Sequence, residues 1–465
     1  MTKKAKSSKV EVSSSDQMNL TDGLALIAQL LKAQPHLKED LGEIAELVTK
    51  EETSKPQTKG EKSTGAKKAK KSEKLPVTTF KNTKLSTVKL NWKEVYYTNC
   101  PLISASNIDQ ELGWTREEFK KLGVEYSFMR SSKKTDWYPH YIHNMDNLIR
   151  FGGLFPPIQV NADLRRTKLL GVTHVPKEGG SLMVRSRDDL YLMSDLKGKK
   201  IGLSKSLNQI KNDWWRIQEH QGIELMLRMN GMTMGDVEIV EFPYADNWYN
   251  DPTMLEPMHN PSDLWLQRDH KHDLAFRPLE TALLTGVVDA IYTQSHVFQR
   301  IQEATGQLKA IEDLSRYPDW TLQVANIPAA ITCSDVMAEK HPELAVAFMK
   351  GMIRVGRWGN ENKHAAAGIL DRQTFYLDVE DTFEGIKPID LVPNLSPQNL
   401  ASVEIGKDFM LSHGYMKNDF DVQEWAAPEF LEQAARELLE EEWQLKTSAK
   451  LPNAAAPLAS KRRLG

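Results

Sequence analysis

Cysteine is scarce in this chain. The 465 residues include two cysteines, Cys100 and Cys333, and no Cys-x-x-Cys pair. A disulfide framework and a cysteine-based zinc site are therefore excluded, and we expect no metal. Because free thiols suit a reducing compartment, the sequence predicts a cytoplasmic location.

Long apolar runs are also missing. No stretch of about 18 uncharged apolar residues, the length that a membrane helix needs, occurs in the chain. The N-terminus, Met1 to Lys6, is basic, but Ser, Asp and Glu follow where a secretory signal would have an apolar segment. We therefore expect neither a membrane span nor export.

Charge of one sign is not in excess either. The net charge of −3 predicts no general attraction to nucleic acid or to membranes. A lysine-rich stretch at 55–75 has almost nothing apolar to bury and no interleaved aromatic residues for base stacking, so it is predicted to be a disordered linker.

The chain is 40% apolar, and its length predicts two globular units with flexible segments.

Residues 1–84 are predicted to form an N-terminal extension. It would contain two short amphipathic helices at about 20–49, on either side of Pro35. Two roles remain open for these helices. They form an oligomerisation or docking hairpin, which would allow self-association, or they are a loosely attached appendage.

From about Leu85 onward, strands alternate with helices, a pattern typical of α/β architecture with a mainly parallel sheet. A strand ends at Cys100, and a helix is predicted from Ser104 through Gly113 to Leu122. Further strands are predicted at 124–128, 169–173, 181–184, 237–240, 288–292 and 329–333, and the segment 195–203 enters another strand through a charged turn. Cys100 therefore lies at the end of a strand, where sheet proteins of this class place reactive groups.

This order of elements resembles the type II fold of periplasmic binding proteins, in the branch for nitrate, taurine and sulfonates. The resemblance rests on Gly113-Trp114, Phe119 to Glu125, Asp195 to Ile201, Thr285 to Ala290 and His341 to Leu344. It implies two α/β lobes with a ligand cleft between them. Lobe 1 would comprise 85–190 and 323–445, lobe 2 would comprise 191–322, and 446–465 would be a flexible tail.

A narrower resemblance surrounds the first cysteine. The motifs Asn99-Cys100-Pro101, His140-Tyr141, Arg150-Phe151-Gly152-Gly153 and Trp425 to Leu431 are similar to those of the 2'-hydroxybiphenyl-2-sulfinate desulfinase family. That family cleaves an aryl carbon–sulfur bond, and its histidine precedes its arginine by ten positions, as His140 precedes Arg150 here. The resemblance implies a hydrolase without a cofactor that converts an aromatic sulfinate to sulfite and the desulfinated phenol, with Cys100, His140 and Arg150 as catalytic residues.

The side chains suit this chemistry. Arg150 offers a planar fork of donors to two sulfinate oxygens, and the backbone N–H groups of Gly152 and Gly153 can approach the same anion closely. Asn99 is expected to contact the substrate as well. Two roles stay open for the cysteine thiol, which could protonate the ring carbon or attack the sulfur as a thiolate, with the neighbouring histidine adjusting its protonation.

Several alternatives accompany this interpretation. His143 could take the role of His140, and Arg150 could instead pair with Asp146 at i−4 on a helix. Cys333 fits a strand in the core, where a thiol is inert. At the level of function, the alternative is a non-catalytic sensor or carrier for a sulfonate, nitrate or related organic anion. The segment 244–274 differs from the family pattern, so the natural substrate is not specified.

Overall fold

The computed structural model describes residues 92–129, 138–173, 180–246, 277–294, 296–322, 328–374 and 378–450. The predicted extension 1–84, with its helices at 20–49 and its linker at 55–75, lies outside the described residues. All described residues belong to one compact unit, 72–465.

A first mixed sheet, sheet A, contains five strands in the order β2-β1-β3-β10-β4. Strand β1 is parallel to β2 and β3, whereas β10 is antiparallel to β3 and β4. The strands are β1 (Glu94–Asn99), β2 (Glu125–Phe128), β3 (Leu148–Gly152), β4 (Thr167–Thr173) and β10 (Ala329–Ser334).

A second mixed sheet, sheet B, also contains five strands, in the order β7-β6-β8-β5-β9. Strand β6 is parallel to β7 and β8, whereas β5 is antiparallel to β8 and β9. The strands are β5 (Ser181–Arg185), β6 (Lys200–Ser206), β7 (Glu238–Tyr244), β8 (Ala290–Thr293) and β9 (Leu308–Asp313).

The prediction of a two-lobed α/β fold is confirmed, and the sheets are mixed rather than wholly parallel. Each sheet contains one strand antiparallel to its neighbours, β10 in sheet A and β5 in sheet B. An apolar run indicates burial and carries no information about strand direction, which non-local pairing decides. The lobe boundary also shifts, because β5 belongs to sheet B and not to the predicted lobe 1; the remaining lobe limits stay a prediction.

Fourteen helices connect and cover the sheets in the described part of the chain. They are α1 (Ala105–Leu112), α2 (Trp114–Lys121), α3 (Tyr138–Ile142), α4 (Phe155–Gln159), α5 (Trp214–Met229), α6 (Pro278–Thr285), α7 (His296–Ala304), α8 (Asp335–Lys340), α9 (Pro342–Glu361), α10 (Lys363–Gln373), α11 (Val379–Ile386), α12 (Pro397–Ser412), α13 (Val422–Trp425) and α14 (Pro428–Lys450). Short 3-10 turns lie at Met193–Leu196, Met234–Asp236, Leu314–Arg316 and Trp320–Leu322, and a π turn at Val160–Leu164.

Two helix boundaries differ from the sequence prediction. The helix expected from Ser104 to Leu122 is split at Gly113, whose φ of 70° ends α1 and turns the chain into α2. Glycine adopts this left-handed conformation without steric cost, so it is a common helix terminator. The last helix, α14, runs to Lys450 and so enters the segment that was predicted to be a flexible tail.

Each sheet has its own buried core. Tyr97, Ile149 and Phe151 of sheet A pack with Phe348 of α9, while Leu203 and Tyr292 belong to the core of sheet B. No helix within the described ranges is long and apolar enough to cross a bilayer. The strand ends of sheet A, held by this core, carry the predicted site.

Candidate active site

The pairing of β1 with β3 brings the two predicted motifs together. Thr98 lies opposite Arg150 in the parallel ladder, and Asn99 lies opposite Phe151. The pairing continues one step further, because the Cys100 N–H donates a hydrogen bond to the Phe151 carbonyl at 3.0 Å. Residues about fifty positions apart in sequence thus become neighbours at one sheet edge.

Cys100 and His140 form the centre of the site. The Cys100 Sγ lies 3.3 Å from His140 Nε2, and the other ring nitrogen, Nδ1, lies 2.9 Å from the Thr98 hydroxyl. His140 is carried by the short helix α3 and is buried. Both nitrogens of the imidazole are therefore held by hydrogen bonds, which fixes the ring relative to the thiol.

Thr98 is the orienting group that the sequence interpretation did not find. A cysteine–histidine pair is usually oriented by a third polar side chain, and no carboxylate at a suitable position was evident in the sequence. A threonine hydroxyl near the end of β1, two residues before Cys100, supplies this contact. The only available signal was the alternation of side chains along a strand, which places residues i and i+2 on one face.

Arg150 lies in the middle of β3 and is 1% exposed. Its Nε donates to the backbone carbonyl of His140 at 2.8 Å, so the arginine also holds the helix that carries the histidine. Its Nη1 has no hydrogen-bond partner among the described residues. Burial lowers the pKa of Arg150, and the neighbours that favour its charge are Cys100 and Tyr141 rather than a carboxylate.

Gly152 makes room for both reactive groups. A Cβ atom at this position would lie 2.5 Å from Cys100 Sγ and 3.1 Å from Arg150 Nη2. Any side chain here would displace the thiol or the guanidinium. Gly153 is buried directly after β3, and its predicted role in binding an anion stays a prediction.

Asn99 lies in a network that supports the turn after β1. Its Nδ2 donates to Asn107 Oδ1 at 2.8 Å, and Asn107 Nδ2 in turn donates to the carbonyls of Cys100 and Leu102. Asn107, on the first turn of α1 behind the Ser104 cap, was missed in the sequence. These bonds engage the Asn99 amide N–H groups in holding the Cys100 turn, whereas the sequence predicted a substrate contact.

The competing assignments are not supported by the geometry. Arg150 is on a strand, and Asp146 pairs with Arg165 instead, so the proposed i−4 pair is wrong. His143 is buried with a positive φ of 49°, and its Nε2 has no hydrogen-bond partner within the described ranges. Of the two histidines, His140 is the one hydrogen-bonded to the Cys100 thiol.

Burial favours the neutral imidazole of both His140 and His143 by lowering the pKa of each. Burial is the main cause that lowers the pKa of His140 well below 6.5, and the charges of Arg150 and His143 add to it. A neutral imidazole can accept a proton at one nitrogen and donate at the other. Cys333 is buried in β10, where burial raises the pKa of its thiol to about 12, in agreement with a structural role.

The second lobe contacts α3 through the segment between β6 and α5. Asn208 Nδ2 donates to the Tyr138 hydroxyl at 3.3 Å, and Lys211 Nζ lies 5.1 Å from the centre of the Tyr141 ring. The Asn212 amide on this segment and Nε1 of Trp214, the first residue of α5, are buried without a hydrogen-bond partner among the described residues. They are candidate donors for a ligand that the sequence interpretation did not identify.

Two groups of known proteins resemble this chain. The 2'-hydroxybiphenyl-2-sulfinate desulfinases of Rhodococcus erythropolis and Rhodococcus qingshengii are each 25% identical over 365 residues, which cover 72% of this chain and 92% of the relative. The resemblance to these desulfinases is confirmed. No family model matches the chain.

Solved structures share the fold. A crystal structure of the desulfurization enzyme DSZB, as a Cys-to-Ser variant in complex with biphenyl-2-sulfinic acid, has a TM-score of 0.58 at 21% identity and covers 74% of this chain and 99% of that one. A putative periplasmic sulfonate-binding protein, SsuA from Methylobacillus flagellatus KT, has a TM-score of 0.51 at 17% identity and covers 74% and 94%. The predicted binding-protein fold of this desulfinase-like chain is thereby confirmed.

Proposed function

We propose that this chain is a desulfinase that hydrolyses the carbon–sulfur bond of an aromatic sulfinate and releases sulfite. The observation that carries the proposal is the buried Arg150 guanidinium, with an unpartnered Nη1, beside the hydrogen-bonded Cys100–His140 pair. This arrangement combines a binding group for an anion with a group that transfers a proton.

A buried charge without a counter-charge costs free energy, so an anion bound to Arg150 would stabilise its guanidinium. A sulfinate has two oxygens on one atom, and the planar guanidinium matches such a pair with parallel N–H groups. Since Arg150 Nη2 lies near the Cys100 thiol above Gly152, an anion on Arg150 would hold its sulfur-bearing carbon close to Sγ.

In the proposed reaction, Cys100 is the proton donor. The thiol proton is transferred to the ring carbon that bears sulfur, and the electron pair of the breaking carbon–sulfur bond stays on carbon to form the new carbon–hydrogen bond. Sulfur leaves as sulfur dioxide, and water adds to it to give hydrogen sulfite and a proton that restores the thiol. The sum is sulfinate plus water giving arene plus hydrogen sulfite.

His140 serves as the proton relay in this scheme. Burial lowers the pKa of His140, so its imidazole can accept a proton at Nε2 and pass it on to sulfur. The water that adds to sulfur dioxide can return its proton through Nε2. Attack of a thiolate on sulfur is the competing path, and it would leave a covalent cysteine–sulfur adduct.

The relatives support an aromatic substrate. The curated relatives are named for 2'-hydroxybiphenyl-2-sulfinate, and one structural neighbour holds biphenyl-2-sulfinic acid. The free donors of Asn212 and Trp214 on the second lobe would suit a hydroxyl group on such a ligand. A second candidate function is binding of a sulfonate or related anion without catalysis, which the fold shared with the sulfonate-binding protein favours.

A panel of aryl and alkyl sulfinates, with sulfite as the measured product, tests the proposal. We expect sulfite from an aromatic sulfinate with the intact chain and from Cys333→Ala, the matched control for the other thiol. The Cys100→Ser variant should bind the sulfinate and lose turnover by on the order of 100-fold or more. Tight anion binding with no sulfite from any compound would instead establish the binding function.

A further inference from the structure

A second cluster of reactive side chains lies away from Cys100. His220 and Glu224 are one turn apart on α5, and His413 directly follows α12. One ligand atom from each residue lies within 4.8 Å of the others. The expectation of no metal rested on the scarcity of cysteine, and it did not consider ligands brought together from distant helices.

Nδ1 of both His220 and His413 lies within hydrogen-bond distance of a polar atom of the chain. His220 Nδ1 lies 2.9 Å from the Tyr415 hydroxyl, and His413 Nδ1 lies 2.9 Å from the Phe409 carbonyl and 3.0 Å from Ser412 Oγ. A carbonyl only accepts hydrogen bonds, so the proton of a neutral His413 resides on Nδ1 and the lone pair on Nε2. Metal-binding histidines are held by such outer contacts in this way.

Nε2 of both histidines faces the carboxylate of Glu224. His413 Nε2 lies 2.8 Å from Glu224 Oε2, and His220 Nε2 lies 3.9 Å from the same oxygen. A neutral imidazole nitrogen and a carboxylate oxygen both present lone pairs, so a cation or a proton must lie between them. Ligand atoms 2.0–2.1 Å from a tetrahedral zinc are about 3.3 Å apart, a spacing that the two observed distances bracket.

We propose that His220, Glu224 and His413 form a zinc-binding site that links the two lobes. Two histidines and one glutamate are a known ligand set for zinc with one open position. His220 is buried, whereas Glu224 and His413 are 28% and 25% exposed, so a water can complete the coordination from the solvent side.

The position of the cluster gives the ion a structural task. Helix α5 follows β6 and packs against sheet B, whereas α12 contacts β4 of sheet A. An ion held by α5 and by the residue that directly follows α12 would fix one arrangement of the lobes. Zinc bound to the folded state alone also raises the unfolding temperature in proportion to the logarithm of its concentration.

The test uses the full chain with Cys100→Ser, so that the thiol near His140 cannot bind zinc. After treatment with a chelator and its removal, zinc is titrated and followed by calorimetry and by the unfolding temperature. We expect one zinc per chain and a rise of a few degrees in the unfolding temperature. His413→Gln and Glu224→Gln should each weaken binding at least 10-fold.

His364→Gln is the matched control, because His364 pairs with Glu380 on an exposed surface and is not one of the three proposed ligands. This control should bind zinc as tightly as the parent. The proposal is overturned if zinc binds without a defined stoichiometry, or if the ligand variants and the control bind equally. Sulfite release is not measured in this experiment, so the zinc site is tested independently of the proposed desulfinase activity.

Discussion

Thr98 and His140 are joined by a hydrogen bond of 2.9 Å between Oγ1 and Nδ1, and both side chains are buried. The opposite nitrogen of the ring faces the Cys100 thiol, so the threonine hydroxyl holds the ring in the orientation that presents Nε2 to sulfur. Thr98 is thus a positioning residue, and the site is a triad of cysteine, histidine and threonine.

Replacing Thr98 should therefore impair turnover without blocking the pocket. Thr98→Val keeps the shape but leaves the buried Nδ1 unpaired, a loss of about 1–3 kcal/mol. We expect kcat/KM for sulfite release to fall on the order of 10-fold and its pH profile to shift. Thr98→Ser, which retains the hydroxyl, should behave like the parent; equal activity of the valine and serine variants would show that this contact does not matter.

Gly152→Ala should disable the site by displacing the thiol. The added Cβ would lie 2.5 Å from Cys100 Sγ, so the sulfur must move away from His140. A displacement of about 1 Å in a reacting group can cost on the order of 100-fold in rate, and we expect a decrease of that size in kcat. Gly368→Ala on α10, where a Cβ meets only the end of Arg372, is the control and should keep full activity.

Arg150→Lys should weaken sulfinate binding although the substitution retains the positive charge. An ammonium replaces the planar fork by a point charge and cannot keep the Nε contact to the His140 carbonyl. Calorimetry in the Cys100→Ser background should show affinity lower by on the order of 10-fold. Arg165→Lys is the control, because Arg165 pairs with Asp146. Unchanged sulfinate affinity in this variant would show that the loss in Arg150→Lys comes from anion binding and not from general destabilisation.

His143→Asn should leave catalysis intact and change the acid stability. Burial, with Arg150 and Arg165, holds the pKa of His143 well below 6.5 in the folded chain. Below pH 6.5 the His143 imidazole binds a proton in the unfolded state but not in the folded state. The free energy of unfolding therefore falls as the pH falls. This histidine contributes up to about 1.4 kcal/mol per pH unit.

The variant should therefore show a shallower decrease of stability between about pH 6 and pH 4, measured by urea unfolding. Asparagine accepts the positive φ of this position, so the backbone is preserved. A large loss of kcat in His143→Asn, matching that of His140→Asn, would contradict the assignment of His140 as the relay.

Much of the fold was accessible from local sequence patterns. The strand before Cys100 and the strand at 329–333 were predicted within one residue of β1 and β10, because apolar runs bounded by turn residues report burial directly. The antiparallel pairing of β5 and β10 and the membership of β5 in sheet B were not predicted. They depend on pairing between segments far apart in the chain, which no local pattern encodes.

By itself, the sequence determined the scarcity of thiols, the α/β pattern and the spacing of Cys100, His140 and Arg150 that resembles a desulfinase. Only the tertiary structure decided that Thr98 orients His140, that Arg150 is buried with a free Nη1, and that Gly152 gives space to the thiol. The reason is physical: residue types are local properties, whereas hydrogen-bond partners, burial and free volume depend on which strands and helices become neighbours.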